Sequence, residues 1–151
     1  MPQRTPELAR RVVVGVDGSE CSKSALKWAM TYARLTDATV EAIATWQNPD
    51  TYVASYGWTP GIVDTGEIAA SVRKNLDAAV ADVSGQFDRP VEVLARVVEG
   101  HPAEVLLEAA VGAQLLTVGS RGHGAFAGIL LGSVSQHCVQ HAPCPVVVVP
   151  A

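Results

Sequence analysis

Charge is scarce in this 151-residue chain: 17% of its residues are Asp, Glu, Lys or Arg, against roughly 25% in an average soluble domain. With 48% apolar residues such a sequence cannot be a disordered segment, and the shortage of charge suits a fold whose strands are covered on both faces. Basic excess is absent too. Eleven Lys and Arg against fifteen Asp and Glu leave a net charge of −4, so nothing neutralises a nucleic-acid backbone or holds an anionic membrane. Long apolar runs are also missing: none reaches the ~20 residues that span a bilayer, and the first ten residues, MPQRTPELAR, lack the apolar core of a leader. A cytoplasmic protein without nucleic-acid or membrane partners is expected. The three cysteines, Cys21, Cys138 and Cys144, are odd in number and form no Cys-x-x-Cys, which fits reduced, buried thiols better than a disulfide framework.

What is present is an alternation. Val12–Val16 is a short β-branched run that stops at Asp17-Gly18-Ser19, the pattern of a buried strand feeding a loop. Leu26, Ala29, Met30 and Ala33 then recur at helical spacing within 21–35, and TVEAIATW at 39–46 is a second strand. Residues 47–66 hold two prolines and three glycines and read as a long irregular connection. A helix carrying Ile68, Val72, Leu76, Ala79, Val80 and Val83 ends near Gly85, and Pro90–Val98 is the third strand. Pro102 opens a helix closed by Gly112; Leu115–Val118 is the fourth strand; Ser133–His141 is a helix; Val146–Val149 is the fifth strand.

Strands alternating with four crossover helices predict one α/β domain over 1–151, a doubly wound five-stranded parallel sheet, with 1–9 as a flexible tail. Ligands of such sheets bind beyond the carboxyl ends of the strands where strand order reverses. A sheet that begins at its centre has that point between strands one and four, and these two strands end in the chain's two most unusual loops, VDGS and GSRGHG.

The second loop carries the chemistry. Gly119-Ser120-Arg121-Gly122 is followed by nine residues and then by Gly132-Ser133 at a helix start. Glycines let an anion approach backbone N–H groups that a Cβ would shield, and a helix N-terminus presents unpaired N–H groups and a positive dipole end. Both suit phosphate. Arg121 either adds charge or lies in solvent. The arrangement is not a Walker A loop, because no lysine follows Lys74, and the dinucleotide signature is missing after the first strand, which offers only Gly15 and Gly18.

VVVGVDGSECSKSALKWA, VVEGHPAEVLLEAA and LLTVGSRGHGAFAGILLGSVSQHCVQHAPCPVVVV together resemble the universal stress proteins of the UspA type, ATP-binding subgroup. The spacing of Gly119, Gly122 and Gly132-Ser133 is that family's nucleotide pattern without departure. The resemblance implies strand order 3-2-1-4-5, as in adenine-nucleotide alpha-hydrolase-like folds, and a homodimer. It also implies ATP, AMP or cyclic AMP between strands one and four, with Mg²⁺ possible alongside ATP. Asp17 would receive the ribose hydroxyls or the adenine edge; the backbone near Thr45 would meet the adenine; Gly119, Arg121, Gly122, Gly132, Ser133 and Val134 would surround the phosphates. A carboxylate belongs at the sugar end, where it accepts hydroxyl donors rather than repelling phosphate, although Asp17 could instead form an Asx turn or helix cap.

Turnover is less well provided for. No general base stands beside a nucleophile and no carboxylate pair flanks the phosphate loop, so no catalytic residue is assigned and ATP hydrolysis would at most be slow. His123 reads as a solvated loop histidine. His137 and His141 share a helix face near Cys138 and Cys144, but no carboxylate joins them and no resident metal is expected. The apolar fifth strand, PCPVVVVP, would lie at the sheet edge, to be buried by pairing of two copies about a two-fold axis or by the N-terminal tail; the homodimer is the expectation. The reading is therefore a nucleotide-binding stress-response sensor heard by an unknown protein partner. The alternatives are a slow ATP hydrolase and a nucleotide-free interaction module.

Overall fold

A computed structural model of the chain describes residues 10–49, 64–122 and 131–151. The tail at 1–9, much of the 47–66 connection and His123 lie outside the described residues. Among those described, the elements run β1 (Arg11–Gly15), α1 (Glu20–Thr36), β2 (Thr39–Trp46), α2 (Thr65–Ser84), β3 (Val93–Glu99), α3 (Pro102–Ala109), β4 (Leu115–Gly119), α4 (Ser133–His141) and β5 (Val146–Val149). All strand pairings are parallel, in the order β3-β2-β1-β4-β5. This is the expected topology.

Burial explains why the central strands read as unbroken apolar runs. Val12, Val14 and Val16 join the core beneath α1 and α2, while Val13 points the other way into the core beneath α3 and α4. Val12, Val13 and Val14 are fully buried. Covered on both faces, β1 needs hydrophobicity at every position rather than at alternate ones.

Several boundaries differ from the sequence reading. β3 begins at Val93, not Pro90, because the ladder with β2 starts at Val40↔Val93 and proline has no N–H to give it. Thr65 and Gly66 belong to α2, whose first turn is capped by Asp64 Oδ1 accepting from the Glu67 N–H at 3.1 Å. Gly85 does end α2, but with φ −63°, so its left-handed freedom is unused. That conformation falls to Asp37 after α1, at φ 57°.

One polar cluster within the sheet was not foreseen. Glu41 on β2 is 4% exposed and is paired by Arg11 at 2.7 Å and by Arg96. Arg11 also donates to the carbonyls of Ala109 at 2.7 Å and Val111 at 3.0 Å. One guanidinium thus ties the start of β1 to the end of α3, where carbonyls lack helical partners.

Candidate functional site

At the carboxyl end of the sheet, β1 and β4 diverge and leave a cleft of about 660 Å³, within the range typical of small-molecule sites. All eight residues proposed from sequence, Asp17, Thr45, Gly119, Arg121, Gly122, Gly132, Ser133 and Val134, line this one space. Neither turn is displaced to the far side of the molecule.

The β1 turn is set by its own hydrogen bonds. Gly18 sits at φ 84°, where a side chain would be strained. Asp17 Oδ1 accepts from the backbone N–H of Ser19 at 2.9 Å and from its hydroxyl at 2.5 Å, an Asx turn in which the acid also orients the cap. Ser19 in turn accepts the Ser22 N–H at 3.2 Å and starts α1. The Asx turn expected as one reading of Asp17 is thus present, through Oδ1. Oδ2 lies against Gly122 across the gap, so close that a Cβ there would approach it to 2.6 Å.

Ser120 fastens the β4 turn. Its N–H donates to Val149 O at 2.8 Å, and its carbonyl accepts from the Gly132 N–H at 2.6 Å and from the Ser135 hydroxyl at 3.1 Å. Those bonds bring the start of α4 back beneath the end of β4. Gly132, the N-cap, has no side chain to cap the helix, so the first-turn N–H groups at Ser133 and Val134 meet the cleft without a side-chain acceptor. By contrast α1 is closed by Ser19. α3 also starts at the cleft without a side-chain cap, but its first helical residue is a proline with no N–H to offer, so α4 presents the fuller set of N–H groups to an anion.

The motif glycines are not equivalent. A Cβ on Gly119 would meet Cys21 Sγ at 2.8 Å and the Cys21 backbone at 3.1 Å, so this glycine exists to let α1 press on β4. A Cβ on Gly132 would find its nearest atom at 3.5 Å, an ordinary contact. Gly122 lies between these cases, closed by the Asp17 carboxylate.

The remaining walls come from residues that the sequence reading did not assign to the site. Ile43 and Ala44 from β2, Val72, Asn75 and Leu76 from α2, and Pro102 and Leu106 from α3 supply a largely apolar surface. Among the described residues lining the cleft, Asp17 and Arg121 are the charged ones, and no histidine, cysteine or lysine is present. A single carboxylate that already accepts from Ser19 is a poor cage for Mg²⁺; a magnesium ion there would depend on oxygens carried by the ligand. Ser135 could have been suspected from its phase, since it stands three residues before the fully buried Cys138 on the inward face of α4.

Comparison with known proteins gives the family and the fold. The model of the universal stress protein family matches residues 9–150. Universal stress protein Rv1996 of Mycobacterium tuberculosis (strain ATCC 25618 / H37Rv) is 31% identical over 152 residues, covering 92% of this chain and 47% of the relative; the chain thus spans about half the length of such relatives. A crystal structure of a universal stress protein in complex with cAMP superposes with a TM-score of 0.70 at 24% identity, covering 93% of this chain and 96% of that one. The universal stress protein from Archaeoglobus fulgidus in complex with dAMP gives 0.66 at 19% identity, over 94% and 98%.

Proposed function

The chain belongs to the universal stress protein family, and from that premise we propose that its cleft binds an adenine nucleotide, ATP, AMP or cyclic AMP, as a sensor rather than as an enzyme. The observation that carries the reading is the convergence, on one cleft, of an uncapped helix start at Gly132 and a carboxylate at Asp17. Phosphate oxygens accept from the N–H groups of Gly122, Ser133 and Val134 at the helix start formed by Gly132, whose own N–H is held by the Ser120 carbonyl, with Arg121 adding charge. Asp17 Oδ2 takes the ribose hydroxyls, and the adenine lies on the apolar wall beside the Thr45 backbone.

Binding without turnover is supported by the makeup of the lining, in which no base stands beside a nucleophile among the described residues. Fold relatives in complex with cAMP and dAMP support an adenine ligand. ATP would bring Mg²⁺ on its own phosphates. We further propose a cytoplasmic homodimer joined through β5, whose four valines are each only half-buried, with nucleotide occupancy read by a protein partner. No described helix is long and apolar enough to cross a membrane.

Calorimetric titration with ATP, AMP and cyclic AMP tests the assignment. Saturable heat with at least one of them, weakened at least tenfold by Asp17→Asn, is expected; no heat with any nucleotide would overturn it.

A further inference from the structure

The second half of α4 carries a pair of histidines that the cleft does not use. His137 and His141 are exposed, one turn apart, with ring centroids 4.7 Å from each other and planes inclined at 46°. Four residues of helix rise about 6 Å along the axis, so the two imidazoles lean together rather than standing apart. An ion about 2.1 Å from one nitrogen of each ring lies about 3.2 Å from each ring centre. Centroids 4.7 Å apart then subtend about 95°, close to the angle between adjacent ligands in square-planar or tetrahedral coordination.

The surroundings favour a cation. The helix itself carries no Lys or Arg to repel one. His141 is the last residue of α4, where the carbonyl end of the helix dipole attracts positive charge. No Asp or Glu follows Glu108, and Cys138, although a neighbour on the helix, is fully buried. The metal-binding donors that α4 itself exposes are therefore imidazole nitrogens. Such donors select borderline transition metals and give hard, oxygen-seeking ions nothing to hold.

We propose that His137 and His141 chelate a divalent transition-metal ion, Cu²⁺ most strongly and Ni²⁺ or Zn²⁺ after it, with water filling the other positions. No described group of three or more His, Cys, Asp or Glu residues could hold a metal, so this is an exchangeable two-nitrogen site rather than a structural one. The ion staples the last turn of the helix whose first turn faces the cleft. The site stands whether or not that cleft takes a nucleotide.

The test is calorimetry and thermal unfolding of the untagged full chain with CuSO₄, NiCl₂, ZnCl₂, MgCl₂ and CaCl₂. The variants are His137→Gln, His141→Gln and, as a control, His101→Gln at the N-cap of α3. One Cu²⁺ per chain with a raised unfolding temperature, weaker Ni²⁺ and Zn²⁺, and no response to Mg²⁺ or Ca²⁺ are expected. Either α4 variant should weaken Cu²⁺ at least tenfold, while His101→Gln leaves it unchanged. Electron paramagnetic resonance of the Cu²⁺ form should report two nitrogen ligands, lost in both α4 variants. Since both side chains are exposed, the variants should keep the wild-type circular dichroism. Cu²⁺ affinity unchanged in both α4 variants, or no Cu²⁺ binding at tenfold excess, would overturn the proposal.

Discussion

The Cα of Gly122 abuts the carboxylate of Asp17 so closely that a Cβ there would lie 2.6 Å from Oδ2. Residues 105 positions apart in the chain thus face each other across the crevice, and the glycine leaves room for an acid already fixed through Oδ1 by Ser19.

Gly122→Ala should therefore act on the ligand more than on the fold. The added methyl turns the Asp17 carboxylate aside, and nucleotide affinity is expected to fall about tenfold, equivalent to about 1.4 kcal/mol. Calorimetry on Gly122→Ala, Asp17→Ala and the double variant checks the mechanism. Because both substitutions remove the same contact, their effects should be less than additive; full additivity would show that Gly122 acts independently of the acid.

Gly119→Ala and Gly132→Ala should separate packing from binding. At Gly119 the methyl collides with Cys21 Sγ and the backbone behind it, an overpacking that costs about 1–3 kcal/mol. Cys21→Ala should restore little, since the Cys21 backbone remains 3.1 Å away. Gly132→Ala meets nothing closer than 3.5 Å and its extended backbone, φ −68° and ψ 166°, accepts any residue; it should fold normally. Urea denaturation of the three variants checks this ordering.

Glu41→Ala should be among the more damaging single changes away from the cleft. It leaves Arg11 and Arg96 without the carboxylate that they share, and removing one partner of a buried ion pair costs about 3–5 kcal/mol. The half-exposed Arg96 regains water, so a loss near the lower limit is expected from denaturant midpoints. A loss below about 1 kcal/mol, the value of a surface pair, would mean that the cluster is not a stabilising element.

Alkali should weaken the fold through Cys138. Burial pushes its thiol up to about 11, whereas in the unfolded chain it ionises near its ordinary 9.0. Below that value both states keep the proton and stability does not depend on it. Between about 9 and 11 the unfolded chain alone has released it, so stability falls with rising pH, by at most about 1.4 kcal/mol per unit. Burial also raises the Cys144 thiol, so Cys138→Ala should flatten only its own share of the decline between pH 8 and 10.5.

Fold and site were unequally legible. Apolar runs between turn signals marked all five strands; β1, β2 and β4, buried along most of their length, left the clearest trace, whereas the edge strands β3 and β5 are only partly buried and the start of β3 was misplaced. The crevice followed from that order, and the spacing of Gly119, Gly122 and Gly132 marked its anion side. What the glycines do individually was not legible, since it depends on Cys21 and Asp17 approaching from about 100 residues away. Glu41 was passed over as an ordinary member of an apolar strand, because its partners are 30 and 55 residues distant. The walls supplied by Val72, Asn75 and Leu106 were missed likewise: helical periodicity gives their buried faces but not which turn rises to the cleft.

The central claim is that backbone amides at the β4 turn and the α4 start receive the phosphate. Two-dimensional ¹⁵N–¹H spectra during titration with AMP and ATP test it most directly. The largest shifts are expected at Gly122, Ser133 and Val134, with smaller ones at Thr45 and at Gly132, whose N–H stays on the Ser120 carbonyl, saturating together. Those amides holding their positions at saturating nucleotide, while signals move on another face or nowhere, would contradict it.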